Sequence, residues 1–235
     1  MLTIAARCWL CRLPLYHSRH GICSFCQRHL PPLPACCPRC GLPAGDTTRP
    51  CGRCLRNPPP WQSIIFVSDY VPPLNALIKE FKFNGKTELA AALARQILLR
   101  WLAAHRERAL PVAPYLHLPR PEQLFTVPLH KRRHWSRGFN QTELLARPLS
   151  HWLRCDYEPR AITRVRQTRI QQRLGAGARR KNLRGAFRCD LSLTGKQVAL
   201  LDDVVTTGST AAEISRMLLN RGAAGVQVWC LCRTL

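Results

Sequence analysis

One stretch decides the fold of this chain: residues 198–210, which run Val-Ala-Leu-Leu-Asp-Asp-Val-Val-Thr-Thr-Gly-Ser-Thr. The first four residues are apolar and predict a short buried strand. Two adjacent carboxylates follow, Asp202 and Asp203, then a turn rich in hydroxyls, and residues 211–219 have the pattern of a helix. Buried parallel strands end at a common edge, and open α/β sheets bind ligands outside that edge. The stretch therefore predicts an α/β fold with a ligand site where this strand ends.

The turn within this stretch predicts a sugar-phosphate site. Gly208 allows the backbone to approach a ligand without a Cβ, and the helix that follows adds its positive dipole end. Asp202 and Asp203 are placed to accept hydrogen bonds from ribose hydroxyls, directly or through a metal-bound water. An ordinary helix cap needs one hydroxyl or carboxylate, so this density of polar groups favours a ligand. The neutral donors for its phosphate are Thr206, Thr207, Ser209 and Thr210.

Residues 198–210 resemble, at all thirteen positions, the diphosphoribosyl-binding motif of the type I phosphoribosyltransferases. The resemblance implies a parallel-sheet domain that binds phosphoribosyl diphosphate, or a similar sugar phosphate, together with magnesium. The 5-phosphate is expected in the loop at residues 206–210. Relatives of the 6-oxopurine type carry an aspartate as general base where this chain has Thr206. The sequence therefore identifies no catalytic residue and no acceptor.

The diphosphate end of such a ligand needs cations. Arg132, Arg133 and Arg137 follow a second predicted strand, residues 124–129, and are expected to face the diphosphate from that strand end. The alternative for residues 131–137 is a solvated charge cluster or a nucleic-acid patch. Residues 166–185 form a long basic loop that can close over the site and exclude water. Three cations of that loop are then expected to reach the leaving diphosphate: Arg179, Arg180 and Lys181.

Four Cys-x-x-Cys pairs near the N-terminus predict structural zinc. Each pair presents two thiolates to one tetrahedral zinc, and two pairs complete a site. Either adjacent pairs share a zinc, or pairs one and three share one and pairs two and four the other. The segment has many prolines and glycines and few residues for a core, so it needs metal to fold. The eight ligands are Cys8, Cys11, Cys23, Cys26, Cys37, Cys40, Cys51 and Cys54.

The run Asn57-Pro58-Pro59-Pro60 predicts a stiff linker between two parts of the chain. Residues 1–57 form a Cys-rich zinc-binding module and residues 61–235 a phosphoribosyltransferase-like domain. Within the helix predicted at residues 74–83, Lys79 and Lys82 lie on the polar face. Alternating strands and helices predict a mostly parallel sheet. The predicted strands are residues 63–70, 124–129, 161–165, 186–188, 198–201 and 225–231, and the predicted helices are residues 74–83, 88–105, 140–153 and 211–219.

Composition limits the class of protein. The chain has 235 residues, 46% of them hydrophobic, and a net charge of +23, which favours polyanionic partners. Residues 126–190 carry sixteen Lys and Arg against four Asp and Glu. Neither a signal peptide nor a membrane-spanning run is expected. Thirteen cysteines without an export signal indicate reduced thiols and metal in a cytoplasmic protein, without membrane insertion.

Three further motifs extend a family resemblance over nearly the whole chain. They are Val127-Pro128-Leu129, then Arg-Gly-Phe-Asn-Gln at residues 137–141, and then Arg179, Asn182-Leu183 and Gly185-Ala186-Phe187. Together with the cysteine pairs and residues 198–210, they are similar to those of the ComF/GntX family of competence-related proteins. The resemblance implies a zinc module on a phosphoribosyltransferase-type domain, and a role in the uptake or use of external DNA, for example as a nutrient.

Two hypotheses follow for the function. In the first, the chain is a phosphoribosyl-site protein that serves the uptake or use of DNA. It then binds single-stranded DNA or DNA-uptake proteins through its basic surface, with Trp135 and Phe139 available for stacking. In the second, it is an active phosphoribosyltransferase of nucleotide salvage. A general base near Thr206 and a nucleobase pocket would distinguish the second from the first.

Overall fold

The computed structural model describes residues 6–108, 118–129, 140–166 and 183–234. In the cysteine-rich region it contains a 3-10 turn, Ser18–His20, and two short helices, α1 (Ser24–Arg28) and α2 (Gly52–Arg56). The remaining elements follow in the order β1 (Ser63–Asp69), α3 (Leu74–Phe83), α4 (Leu89–Arg108), β2 (Gln123–Thr126), α5 (Gln141–Leu153), β3 (Asp156–Tyr157), β4 (Ile162–Arg164), β5 (Phe187–Cys189), β6 (Gln197–Leu201), β7 (Val204–Val205), α6 (Ser209–Asn220) and β8 (Gly225–Arg233).

The main sheet has six strands in the order β1-β8-β6-β2-β3, with β7 also paired to β8. Every pairing in it is parallel, for example Val198 with Val226 and Leu124 with Ala199. The predicted α/β class with a mostly parallel sheet is therefore confirmed. Because the strands are parallel, the ends of β1, β2, β6 and β8 meet at one edge, and the stretch at residues 202–210 begins there.

Both faces of this sheet are buried, which explains the continuous apolar runs in its strands. Central strand β8 is buried along its whole length. Trp229 and Leu231 face α3, α4 and α5, in what we call the helix-side core. Val228 and Cys230 face α6 and β5 on the opposite side. The alternation of these side chains along β8 thus supplies both layers from one strand.

Helix α4 packs its apolar stripe on the helix-side core as the sequence predicted. Its four stripe residues are almost fully buried: Leu89, Leu93, Ile97 and Trp101. Helix α5 begins at the N-cap Asn140, whose side chain accepts a hydrogen bond from the Thr142 amide at 3.2 Å. Across the described residues, no helix combines the length and the apolar character needed to cross a bilayer.

Strands β4 and β5 form a separate antiparallel pair, in which Arg164 lies opposite Phe187. The strand predicted at residues 161–165 thus exists, but it does not belong to the main sheet. Its partner, β5, follows the predicted basic loop in the sequence. Residues 167–182 of that loop fall outside the described part of the chain. The pair fixes both ends of that loop beside α6, since Gly185 N–H donates to Glu213 Oε1 at 2.7 Å.

The cysteine-rich region packs on the sheet in two places. Cys8 and Ile22 enter the helix-side core, and Gly21 lies so close to Ala92 of α4 that a Cβ there would be 2.3 Å from the Ala92 Cβ. Farther along, Ile64 N–H of edge strand β1 donates to the Pro38 carbonyl at 3.2 Å. The division of the chain at residues 57–61 remains a prediction.

Candidate functional site

The acidic pair lies at the carboxyl edge of the sheet, next to β8. Asp202 continues the ladder, since its N–H donates to the Trp229 carbonyl at 2.9 Å. The Asp202 carboxylate accepts a hydrogen bond from the Asp203 N–H at 2.8 Å. Asp203 in turn forms an ion pair with Lys82 of α3, with Nζ 2.7 Å from Oδ2. Backbone hydrogen bonds thus position Asp202, and Lys82 positions the Asp203 carboxylate. Both aspartates remain partly exposed.

The ion pair between Lys82 and Asp203 was not anticipated from the sequence. The helical pattern of α3 assigned Lys82 to a polar face, without naming a partner for it. Its side chain is in fact only 13% exposed, and the carboxylate that it meets is 16% exposed. The partner comes from a distant part of the chain, so only the sheet topology brings the two together.

The loop after the acidic pair places hydroxyls at the N-terminus of α6. Thr206 and Thr207 are exposed, and Gly208 is the N-cap, with a left-handed φ of 73°. Thr207 Oγ1 and Ser209 Oγ lie 2.9 Å apart. The first turn of α6 contains no acidic residue, and the first amides of any helix lack intrahelical acceptors. The loop therefore has the donors and the dipole that an anion needs.

Gly208 is required by its surroundings as well as by its backbone angle. A Cβ at this position would lie 2.9 Å from Cη2 of Trp61. Trp61 is buried, and its Nε1–H donates to the Arg39 carbonyl at 2.6 Å. The indole therefore forms the floor beneath the loop.

The cations predicted for the diphosphate lie outside the described residues: Arg132, Arg133, Arg137, Arg179, Arg180 and Lys181. Residues 126–129, which precede Arg132 in the sequence, are described. Thr126, the last residue of β2, pairs with Leu201 of β6, and Val127 N–H donates to the Leu201 carbonyl at 3.0 Å. The chain at residues 127–129 therefore leaves the sheet directly beside Asp202.

The eight predicted cysteine ligands form two groups of four. In each group all four sulfurs lie within 4.8 Å of one another. Of the two arrangements that the sequence left open, the structure shows the one in which adjacent pairs share a site. We call the groups the first cluster (Cys8, Cys11, Cys23 and Cys26) and the second cluster (Cys37, Cys40, Cys51 and Cys54).

The geometry of both clusters fits tetrahedral zinc. The sulfurs of Cys11 and Cys23 are 3.8 Å apart, and so are those of Cys40 and Cys51. Tetrahedral zinc with Zn–S bonds of about 2.3 Å has sulfur–sulfur edges of about 3.8 Å. A disulfide would need about 2.05 Å, and all of these thiols are free. Each cluster therefore has the ligand set and spacing of a structural zinc site.

Thiol acidity differs strongly within each cluster. Burial alone would raise the pKa of Cys8, but hydrogen bonds from the backbone of Cys23, Cys11 and Leu10 outweigh it and lower the pKa to about 6. In the second cluster burial opposes hydrogen bonds at Cys51 in the same way, and its pKa falls to about 7. Burial, reinforced by the neighbouring thiols, raises the pKa of Cys26 to about 12. Cys8 and Cys51 thus ionise near neutral pH, whereas Cys26 stays protonated there until a metal displaces its proton.

The two clusters are copies of one local structure, an internal repeat that the spacing of the cysteine pairs alone does not reveal. The first Cys pairs lie 29 residues apart and the second pairs 28 residues apart, and Leu-Pro follows at residues 13–14 and again at 42–43. The residue after each first pair has a left-handed φ, 65° at Arg12 and 70° at Gly41. The repeated Cys-x-x-Cys-x-Leu-Pro string was the sequence signal that could have revealed it.

Hydrogen bonds repeat between the copies as well. The amides of Cys8 and Cys37 donate to the carbonyls of Leu13 and Leu42, each at 2.8 Å. Cys23 N–H donates to Cys8 Sγ at 3.4 Å, and Cys51 N–H donates to Cys37 Sγ at 3.2 Å. Amide donors to sulfur stabilise thiolate, as a zinc ligand requires. The two copies thus share one chemistry.

The fold and these sites define a class: an α/β protein with a twofold repeated four-cysteine motif and an acidic, hydroxyl-rich loop at the carboxyl edge of its sheet. Over 235 residues the chain is 53% identical to DNA utilization protein YhgH of Salmonella typhi, covering 100% of both chains. It is 37% identical to Competence protein F of Haemophilus influenzae over 230 residues, covering 97% of this chain and 96% of that one. Competence protein ComFC of Bacillus subtilis is 25% identical over 226 residues, covering 91% and 84%.

The chain therefore belongs to the ComF family of DNA utilization and competence proteins, as its motifs predicted. No protein-family model matches it. Among solved structures, it overlaps an allosteric regulatory enzyme of purine biosynthesis with a TM-score of 0.32 and 19% identity, covering 55% of this chain and 24% of that one. An invariant-aspartate mutant of the HPRTs overlaps with a TM-score of 0.36 and 17% identity, covering 63% and 68%. Both overlaps are loose, so function is inferred from the site itself.

Zinc content and its pH dependence test the two clusters. Purified protein should contain about two zinc ions per chain. Bound zinc holds its sulfurs as thiolates, so lowering the pH adds protons that compete with the metal. The fall in affinity should steepen below a pH of about 6 for the first cluster, where Cys8 also becomes protonated, and below about 7 for the second, where Cys51 does.

Competition with a chromophoric chelator, measured on both sides of these pH values, provides the readout. Cys11→Ser and Cys40→Ser each leave one cluster intact and so separate the two curves. Zinc-free protein with a folded cysteine region would contradict the assignment.

The contact between Gly208 and Trp61 can be tested with a matched pair of glycines. Gly195 has a φ of 74°, close to that of Gly208, but nothing lies within 4 Å of its Cβ position. Gly195→Ala should therefore cost only the left-handed backbone penalty of about 1–2 kcal/mol. Gly208→Ala should cost about 1–3 kcal/mol more, because the new methyl overlaps Trp61. Equal losses in denaturant unfolding would show that the indole does not constrain the loop.

Proposed function

We propose that this protein binds phosphoribosyl diphosphate, or a similar sugar phosphate, with magnesium, and that it uses this site in the uptake or use of external DNA. One observation carries the ligand assignment. The acidic pair and the hydroxyl-rich loop follow one another at the carboxyl edge of a parallel sheet, where such folds bind ligands. The loop passes directly into the N-terminus of α6.

The loop at residues 206–210 would hold the 5-phosphate. Thr207 and Ser209 have adjacent hydroxyls, and the α6 amides with the helix dipole favour a negative charge. Exposed Thr206 and Thr207 leave this end of the site open to a ligand from solvent. A phosphate bound here would accept charge-assisted hydrogen bonds, which are stronger than neutral ones.

Asp202 and Asp203 would bind the ribose hydroxyls or order a magnesium shell. Magnesium in proteins commonly uses one or two carboxylates together with water and substrate phosphates. The pair offers that donor set, with Asp202 Oδ1 oriented by the Asp203 amide. Lys82 holds the Asp203 carboxylate in place on its other side. Magnesium would supply positive charge for the diphosphate, together with the cations predicted at residues 132–137 and 179–181.

The role in DNA use rests on family membership and charge. YhgH relatives are named DNA utilization proteins, and the Haemophilus relative is named a competence protein. The net charge of +23 favours a polyanionic partner such as single-stranded DNA. DNA-uptake proteins are the other partners that this proposal allows.

Transfer of the ribosyl phosphate to a nucleobase is the alternative outcome at the same site. Thr206, at the position of the general base in 6-oxopurine enzymes, has a hydroxyl in place of a carboxylate. Its carbonyl accepts a hydrogen bond from Arg233. Product analysis over a panel of nucleobases distinguishes a binding protein, which forms no nucleotide, from a salvage enzyme.

Ligand binding should depend on the acidic pair and on the loop. In titration calorimetry with phosphoribosyl diphosphate and magnesium, Asp202→Asn combined with Asp203→Asn should abolish binding. Thr207→Val should weaken binding by about 1–3 kcal/mol, because a charged acceptor loses one donor. Thr48→Val, at an exposed threonine of the cysteine region, is the control and should bind like wild type.

Thermal melting must accompany these titrations, because the Asp203 change also removes the partner of Lys82. Lys82→Met combined with Asp203→Asn removes the unpaired cation and separates folding from binding. Wild-type affinity in the double Asn variant would exclude the acidic pair from the site.

Direct contact with DNA should show a steep dependence on salt. Each neutralised phosphate releases counterions, so the logarithm of the affinity should fall linearly with the logarithm of the salt concentration. Fluorescence titration with a labelled single strand at several salt concentrations gives the slope. Absence of binding at low salt would exclude direct DNA contact and leave partner proteins as the route to the function.

A further inference from the structure

A buried arginine connects the phosphate loop to the second cluster. Arg233 ends β8 and is 7% exposed. Its Nη1 donates to the carbonyls of Val205 at 3.1 Å and of Thr206, at the start of the loop. On its other side, Nε donates to the carbonyl of Cys40 at 3.1 Å. One guanidinium thus joins the backbone of the loop to the backbone of a predicted zinc ligand.

A second connection runs through Trp61. Its ring supports Gly208 from below, as described above, and its Nε1–H bonds to the Arg39 carbonyl. A second hydrogen bond joins the same two residues in the opposite direction, because Arg39 Nε donates to the Trp61 carbonyl at 3.3 Å. Arg39 lies between Cys37 and Cys40 within the second cluster. The loop is therefore connected to the same Cys-x-x-Cys turn at two points, at residues 205–206 and at Gly208.

The charge of a loaded cluster would favour this arrangement. Four thiolates around one Zn²⁺ carry a net charge of about −2. Among the described residues, no carboxylate forms an ion pair with Arg233; its partners are main-chain carbonyls, including that of Thr234 at 3.0 Å. A buried guanidinium needs nearby negative charge as well as acceptors, and the second cluster is adjacent to it.

The first cluster lacks this connection. It packs on α4 and the helix-side core through Cys8, Ile22 and Gly21. In the described part of the chain, no hydrogen bond joins residues 8–26 to residues 202–210. The two clusters thus share their chemistry but differ in their contacts: the first packs on α4, and the second is connected to the loop at residues 206–210.

We infer that the second cluster positions the phosphate loop through Arg233 and Trp61, so that ligand binding depends on this cluster and not on the first. The inference rests on the proposed function for its ligand, but the order of the loop can be measured without one. Arg233 and Trp61 are positioning residues: they hold backbone, and neither is assigned a contact with the ligand.

Cys11→Ser and Cys40→Ser are the matched test, because the two cysteines occupy equivalent positions of the repeat. Each variant should lose about one zinc ion, measured by elemental analysis. Cys40→Ser should weaken binding of phosphoribosyl diphosphate with magnesium at least about tenfold, within the usual range of coupling between sites. Cys11→Ser should lower the melting temperature and keep its affinity within about threefold of wild type.

Arg233→Lys tests the link without removing a metal ligand. A lysine keeps the charge but lacks the planar fork that bonds several carbonyls at once. Both zinc ions should remain, and ligand affinity should fall about tenfold. Arg221→Lys, at an exposed arginine, is the control. Wild-type affinity in both Cys40→Ser and Arg233→Lys would overturn the inference.

Hydrogen exchange without ligand separates this inference from the proposed function. Amides of residues 206–210 should exchange faster in Cys40→Ser and Arg233→Lys than in wild type, and at the wild-type rate in Cys11→Ser. If wild-type protein fails to bind the ligand while this pattern holds, the ligand assignment is wrong and the positioning role stands. Equal exchange in Cys40→Ser and Cys11→Ser would refute the positioning role.

Discussion

The parallel pairing of β6 with β8 determines where the polar groups of the candidate site lie. Leu201, the last residue of β6, pairs with Trp229 of β8. Asp202 follows directly, and its N–H donates to the Trp229 carbonyl. Strand β7 then pairs with the end of β8, next to Arg233. The loop therefore begins at a point fixed on both sides by ladder hydrogen bonds. The acidic pair and the N-terminus of α6 therefore lie at the same edge of the sheet.

Two four-cysteine clusters occupy the centre of the cysteine-rich region, where a larger domain would have an apolar core. The second cluster is surrounded by few apolar side chains of its own, chiefly Leu42 and Ala44. Yet Gly41 fits against Phe66 of β1, where a Cβ would lie 2.9 Å from the ring. Because β1 is an edge strand, this turn also covers part of an edge that would otherwise offer unpaired backbone groups. The second copy of the repeat thus packs against the sheet and covers part of its edge.

Sequence reasoning succeeded where a local pattern reports on a local structure. Buried strands and helix faces require apolar residues at regular positions, and this requirement is visible in the sequence. It predicted the strand at residues 198–201 and the buried stripe of α4. Cys-x-x-Cys spacing reports the metal-binding turns, but not which pairs share a site, because that depends on how the chain folds back. Contacts that shape the candidate site leave no such pattern, since Arg233 and Cys40 are 193 residues apart and the α3 pattern gave no partner for Lys82. Such pairs are products of topology, and only coordinates reveal them.

The charges around Asp202 and Asp203 favour a role for these carboxylates in binding hydroxyls or magnesium. A chain with a net charge of +23 could attract a sugar phosphate without any carboxylate near the site. Two adjacent carboxylates there oppose a negative ligand unless they bind its hydroxyls or its magnesium. Lys82 neutralises much of the charge of Asp203 at 2.7 Å, which leaves a site whose acids are oriented but not strongly repulsive. The ion pair thus lets the carboxylates serve as hydrogen-bond acceptors beside the loop that we propose holds the phosphate.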